Sequence, residues 1–225
     1  MATERVDVAS LVPEPSTVFA GFIALTLEAL LALLYLTEVG SISLSLVVLP
    51  FVWINVGLWA LWRTEVPAAP VRRRRIAAVV AVGYALVLAY FGGLLDLGYA
   101  FVSVPGYDPS YGWYVSTSLP PGFGPAVTYE SDLLIVRLFP YQVVGYAALS
   151  YLVYVTVIDA AGAAVSGVLG LLSCVSCSWP IIATIVTGVA GSSSAVAAQA
   201  YQQSLPLSTA VFVVTVALLY WRPSL

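Results

Sequence analysis

The sequence predicts an all-α fold, a polytopic bundle of transmembrane helices forming a single membrane domain over residues 1–225. Three observations lead there. Hydrophobic residues make up 61% of the chain and charged residues 8%, where soluble domains average about half and about a quarter. Mean hydropathy is +0.99. Apolar stretches of about twenty residues, the length that crosses a hydrocarbon layer, recur along the chain. This balance excludes a soluble enzyme and a disordered chain. Nucleic acid is excluded as a partner because the one arginine cluster lies between two apolar stretches.

The spans follow in order. Residues 1–16 are polar and mixed in charge, with Pro13 and Pro15 discouraging a helix, and read as a cytoplasmic tail. They lack the positive start and small-residue cleavage site of a secretory signal. A first span is expected over 17–35, ending near Glu38, with Gly40 and Ser41 as a turn, and a second over 44–62. The loop 63–75 is broken by Pro67 and Pro70 and holds five arginines, Arg63 and Arg72 to Arg75. Positive charge in short loops marks the cytoplasmic side. The N-terminus is therefore placed inside, and a third span over 76–95 runs outward.

Residues 96–131 read as a long outer loop, rich in proline, glycine and aromatic residues, with only acidic charges (Asp96, Asp108 and Glu130). Such loops are lids, binding loops or aromatic caps on the outer interface. A fourth span is expected over 133–157. The next forty residues would make about 60 Å of helix, twice the hydrocarbon thickness. A hairpin near 177–180 is therefore expected, with helices over 161–176 and 179–201, and a last span over 207–221. The count is seven spans, or six if Pro180 only kinks one helix. Three spans precede the long loop and three or four follow it, without a matching residue pattern between the halves.

Cys174 and Cys177 are the sharpest chemical feature, a Cys-x-x-Cys followed by Ser178-Trp179-Pro180. This spacing puts two sulfurs on one helix turn, near enough for a disulfide or for a soft metal. A redox pair on the outer side and a Cu(I) site are both compatible with it; so are two small packing residues or an inert disulfide. Zinc fits poorly, because the chain has no histidine and no third cysteine.

Polar residues inside apolar spans form the second candidate group. Glu28 lies near the middle of the first span, where an ionised carboxylate costs several kcal/mol unless paired or hydrated. Arg137, expected a turn inside the fourth span, is a candidate partner for it, and Asn55, Gln142 and Tyr146 could extend the network. Such a network would be a proton or ion relay, a counter-charge for an anionic ligand, or a device that fixes helix register. Asp96, Asp132 and Asp159 read as solvated caps at span ends. Small residues around Gly188 and Gly191 suit close helix packing.

Two resemblances follow from these residues. Usage without lysine or histidine, acid-leaning and rich in alanine, valine and glycine, resembles haloarchaeal membrane proteins. The segment Gly-Leu-Leu-Ser-Cys174-Val-Ser-Cys177-Ser-Trp-Pro-Ile181 resembles the cysteine–proline helix breaks of cytochrome-c-biogenesis thiol transporters of the CcdA and DsbD type. The likeness covers about a dozen residues. It implies movement of reducing equivalents across a membrane, and with the Cu(I) alternative above it points to thiol-redox or copper handling in the maturation of respiratory proteins. Those transporters carry one cysteine in each of two related helices, whereas both lie in one segment here. A Cys-x-x-Cys at an outer span end is also similar to quinone-linked disulfide oxidases, which implies a quinone as cofactor and use a second cysteine pair. Phosphate-binding, serine-hydrolase, metalloprotease and kinase signatures are missing from the sequence. Two further roles are expected as alternatives: a transporter or permease subunit with a separate ATPase subunit as partner, and a non-catalytic accessory or assembly subunit. Either would be a multi-pass protein of the cell membrane, with the lipid bilayer as its surroundings.

Overall fold

The computed structural model describes residues 15–39, 43–101, 111–160 and 204–221. The chain divides into two compact units, Met1–Ile42 and Ser43–Leu225. The first contributes one helix, α1 (Pro15–Val39). Proline at its first position suits a helix start, where the missing N–H would have no intrahelical partner. Thr26 Oγ1 donates to the Phe22 carbonyl and Thr37 Oγ1 to that of Leu34, both at 2.7 Å, so these hydroxyls are satisfied within the helix itself.

The second unit holds α2 (Leu44–Arg63), α3 (Val71–Phe91), β1 (Leu95–Leu97), β2 (Gly112–Ser116), β3 (Ala126–Glu130), β4 (Leu134–Leu138), α4 (Pro140–Ala160) and α5 (Ser204–Trp221). Thr64 caps the end of α2, and Pro70 stands at the N-cap of α3, where its missing N–H costs no helical bond. Among the described residues four helices, within α1 to α4, are long and apolar enough to cross a membrane; α5 contributes a shorter apolar stretch, Leu205–Tyr220.

Helix α4 packs against α2 and α3, and α5 packs against α2 and α4. Their meeting point is Trp53. Its ring stacks on Phe212 of α5 at 4.1 Å and meets Tyr141 of α4 edge-on at 5.7 Å. The indole Nε1 donates to Thr209 Oγ1 at 2.9 Å, which in turn donates to the Leu205 carbonyl. Buried Ala60, Leu149, Leu152 and Val216 continue this core. Gly145 is what lets α4 approach: a Cβ there would run into the Trp53 ring. At Gly122 the backbone has φ +87°, and a Cβ would meet Pro50 of α2. A side chain at that position is thus excluded on two grounds.

The four strands form one antiparallel sheet in the order β1-β4-β3-β2. Three residues separate α3 from β1, and Phe139 alone separates β4 from α4. Backbone bonds fix this junction: Arg137 N–H donates to the Leu94 carbonyl at 2.8 Å, and Tyr141 N–H to that of Gly122 at 3.1 Å.

This sheet overturns the all-α bundle of seven spans. Residues 96–131, expected as an irregular loop, contribute two whole strands and most of a third, and 134–138 form β4 rather than the start of a fourth span. The physical reason is local ambiguity: Leu-Ile-Val-Arg-Leu abutting an apolar helix has no period that separates strand from helix. Pro140 supplies the true helix start. Helix α3 begins at Val71 rather than 76, so Arg72 to Arg75 lie in its first turns instead of a loop. The expected hairpin over 161–201 lies outside the described residues.

Candidate functional site

The sheet is the one place among the described residues where several charged and hydroxyl side chains converge, and its register sorts them. Residues directly opposite one another across antiparallel strands point to the same side, and successive residues alternate. Tyr114 pairs with Thr128, Thr128 with Arg137, Glu130 with Ile135, and Ile135 with Asp96. These residues share one face. The other face takes Leu95 and Leu97 from β1, Trp113 and Val115 from β2, Val127 and Tyr129 from β3, and Leu134, Val136 and Leu138 from β4. One face therefore carries the charges; the other is uncharged, and apolar apart from the Tyr129 hydroxyl and the Trp113 indole N–H.

Burial runs opposite to the usual pattern. On the polar face Ala126, Thr128, Glu130 and Ile135 are buried, with Glu130 only 3% exposed. On the apolar face Trp113 is 68% exposed and Val115 60%, and Leu97, Leu134 and Leu138 are exposed as well. A soluble sheet with one wet face turns its apolar side inward.

Burying a carboxylate requires hydrogen-bond donors, and tyrosines provide them. Tyr99 Oη donates to Glu130 Oε2 at 2.8 Å and Tyr114 Oη to Oε1 at 2.7 Å. Tyr111 Oη donates to Asp132 Oδ1 at 2.6 Å, and its ring meets Tyr99 edge-on. Arg137 Nη1 lies 2.7 Å from Asp96 Oδ2, a diagonal pair across β4 and β1. These contacts bind strands and turns to one another. Both oxygens of Glu130 accept bonds, so its position in the sheet is fixed from two sides.

The expected site residues are distributed as follows. Cys174 and Cys177, and with them any Cu(I) or quinone chemistry, lie outside the described residues. Arg137 is in β4, not inside a span, and its salt-bridge partner is Asp96, which corrects the reading of Asp96 as a simple solvated cap. Asp132, also expected as a solvated cap, accepts the Tyr111 hydroxyl. Gln142 stands in the first turn of α4, where its Nε2 donates to the Gly92 carbonyl at 3.2 Å while Oε1 is buried without a partner. Asn55 is half-buried in α2, and Glu28 half-buried in α1 of the other unit. Among the described residues no group of three or more histidine, cysteine or acidic side chains could hold a metal. Sequence reading missed Glu130 and its tyrosines as a cluster. Its signal was the alternation Ala126-Val-Thr-Tyr-Glu130, in which every second residue turns to the covered side.

The model of a family described as a family of unknown function, DUF7546, matches residues 1–225, and the chain belongs to that family. No curated protein and no solved structure matches.

Proposed function

We propose that this DUF7546 protein is a multi-pass protein of the cell membrane, with its N-terminus in the cytoplasm. We propose further that it serves as a non-catalytic accessory or assembly subunit that binds a partner subunit through its sheet. The membrane reading is supported by the four helices of sufficient length and apolarity. Orientation is supported by Arg63 and Arg72 to Arg75, which gather at one end of α2 and α3. Helix α3 is about 30 Å long at 1.5 Å per residue, a full hydrocarbon thickness. The sheet that follows it then belongs to the outer side.

The observation that carries the accessory role is strand β2. It is the terminal strand of the described sheet, and its sequence Gly-Trp-Tyr-Val-Ser contains no charge and no proline. Sheet edges left open to water are usually blunted by lysine, proline or a bulge. Among the described residues β2 pairs with β3 alone, and an uncharged terminal strand of this composition suits the strand-addition mode of recognition.

The test is purification from native membranes in mild detergent, followed by backbone amide exchange. A second protein in fixed stoichiometry is expected, and it protects the amides of 112–116. Stripping the partner should release that protection. A monodisperse single chain whose β2 amides exchange equally fast before and after stripping contradicts the reading.

The spacing of Cys174 and Cys177 favours a second reading, thiol-redox or Cu(I) handling on the outer side. Thiol labelling should then switch with ambient redox potential, and Cys174→Ser should abolish both the switch and copper binding. Constant labelling together with unchanged copper content in the double serine variant eliminates it.

A further inference from the structure

On one face of the sheet Leu97, Trp113, Val115, Leu134 and Leu138 are exposed, while on the other Thr128, Glu130 and Ile135 are buried, and something other than water must account for that exposed apolar surface. We infer that this face lies on the outer leaflet of the membrane, with its side chains seated at the boundary between lipid headgroups and acyl chains. The inference rests on the membrane reading above but not on the partner at strand β2.

Three observations identify lipid as the occupant. The face carries no charged residue across any of its four strands, and uncharged apolar patches of this kind mark membrane or protein contact. The tethers are also short. Three residues join α3 to β1 and one joins β4 to α4, so at about 3.3 Å per residue the sheet begins within about 10–13 Å of a span end. That length holds it at interfacial depth. Finally, Trp113 and Tyr129 pair across β2 and β3 on this face with ring centroids 4.8 Å apart. Indole and phenol rings concentrate at the bilayer interface, where an apolar body and a polar tip are both accommodated.

The same geometry limits how deep the sheet goes. Strands β1 and β2 are the terminal strands of the described sheet. Such edges do not enter hydrocarbon. The sheet therefore lies flat, side chains down and edges in the hydrated headgroup layer. A depth of about 5–10 Å into the headgroup–acyl boundary is what amphipathic elements reach. In this pose β2 runs along the membrane plane.

The test is a nitroxide scan of the purified full chain in phospholipid nanodiscs, in a Cys174→Ser/Cys177→Ser background. Labels are placed at Val115→Cys and Leu134→Cys on the apolar face, at Ser118→Cys in the polar turn after β2, and at Val82→Cys, exposed on α3. At 115 and 134 the label should be reached by oxygen and lose its collisions with a water-soluble nickel complex. At 118 the nickel collisions should persist. Full nickel accessibility at 115 and 134 overturns the proposal. So does dipolar broadening between labels, which would show the face covered by a second copy of the chain. Nickel accessibility at 82 as well would instead defeat the membrane reading itself, which separates the two failures. A variant that does not enter nanodiscs is replaced by its neighbour on the same face, Leu97→Cys.

Discussion

Removing the hydroxyls that hold Glu130 measures how far the polar face stabilises the sheet. The carboxylate is 3% exposed and accepts Tyr99 Oη at 2.8 Å and Tyr114 Oη at 2.7 Å. Tyr99→Phe deletes one donor and keeps the ring that meets Tyr111. A hydrogen bond to a charged group contributes about 1.5–3 kcal/mol. At about 1.4 kcal/mol per factor of ten, local opening of β3 should become about 10- to 150-fold more frequent. Tyr114→Phe should act in the same direction, and the double variant should open further than either. Amide exchange of residues 126–130 in nanodiscs reads this directly, with the amides of α2 as an internal reference. If β3 exchanges at the wild-type rate in both single variants, the tyrosine bonds do not stabilise the sheet and the account of its polar face is refuted.

Two further expectations rest on equally local geometry. Gly145→Ala places a methyl against the Trp53 ring. It should lower stability by about 1–3 kcal/mol, seen as a fall in the thermal midpoint. The Asp96–Arg137 pair is only half-buried, at 46% and 36% exposure. An Asp96→Asn/Arg137→Gln double-mutant cycle should therefore give a coupling of about 0.2–1 kcal/mol that fades with added salt; a salt-independent coupling of several kcal/mol contradicts this.

How much of this was legible in the sequence differs from element to element. Helix α2 runs over Leu44–Arg63, within a residue of the expected 44–62, because its apolar run and the helix begin and end together. For α3 the arginines misled, since charge was taken as the end of the apolar span. Helix propensity does not stop at arginine, and Pro70 sets the start instead. The strands were hidden by their brevity. Each is three to five residues long, and β4 merges with the apolar run of α4. Glu130 could be seen as an acid in a loop, but only the register of β2, β3 and β4 shows that Tyr114 shares its face. Likewise Arg137 is drawn to Asp96 by a sheet that folds 41 residues of chain back on itself, a distance that helix periodicity does not encode.

The account depends on a membrane lying between the arginines at the start of α3 and the sheet beyond its end. Accessibility of introduced cysteines to an impermeant maleimide tests this most directly, in intact cells with Cys174→Ser/Cys177→Ser as background. Ser118→Cys should label without permeabilisation, and Arg73→Cys only after it. Labelling of residue 73 in intact cells, or of both positions alike, contradicts the topology on which the sheet's outward placement rests.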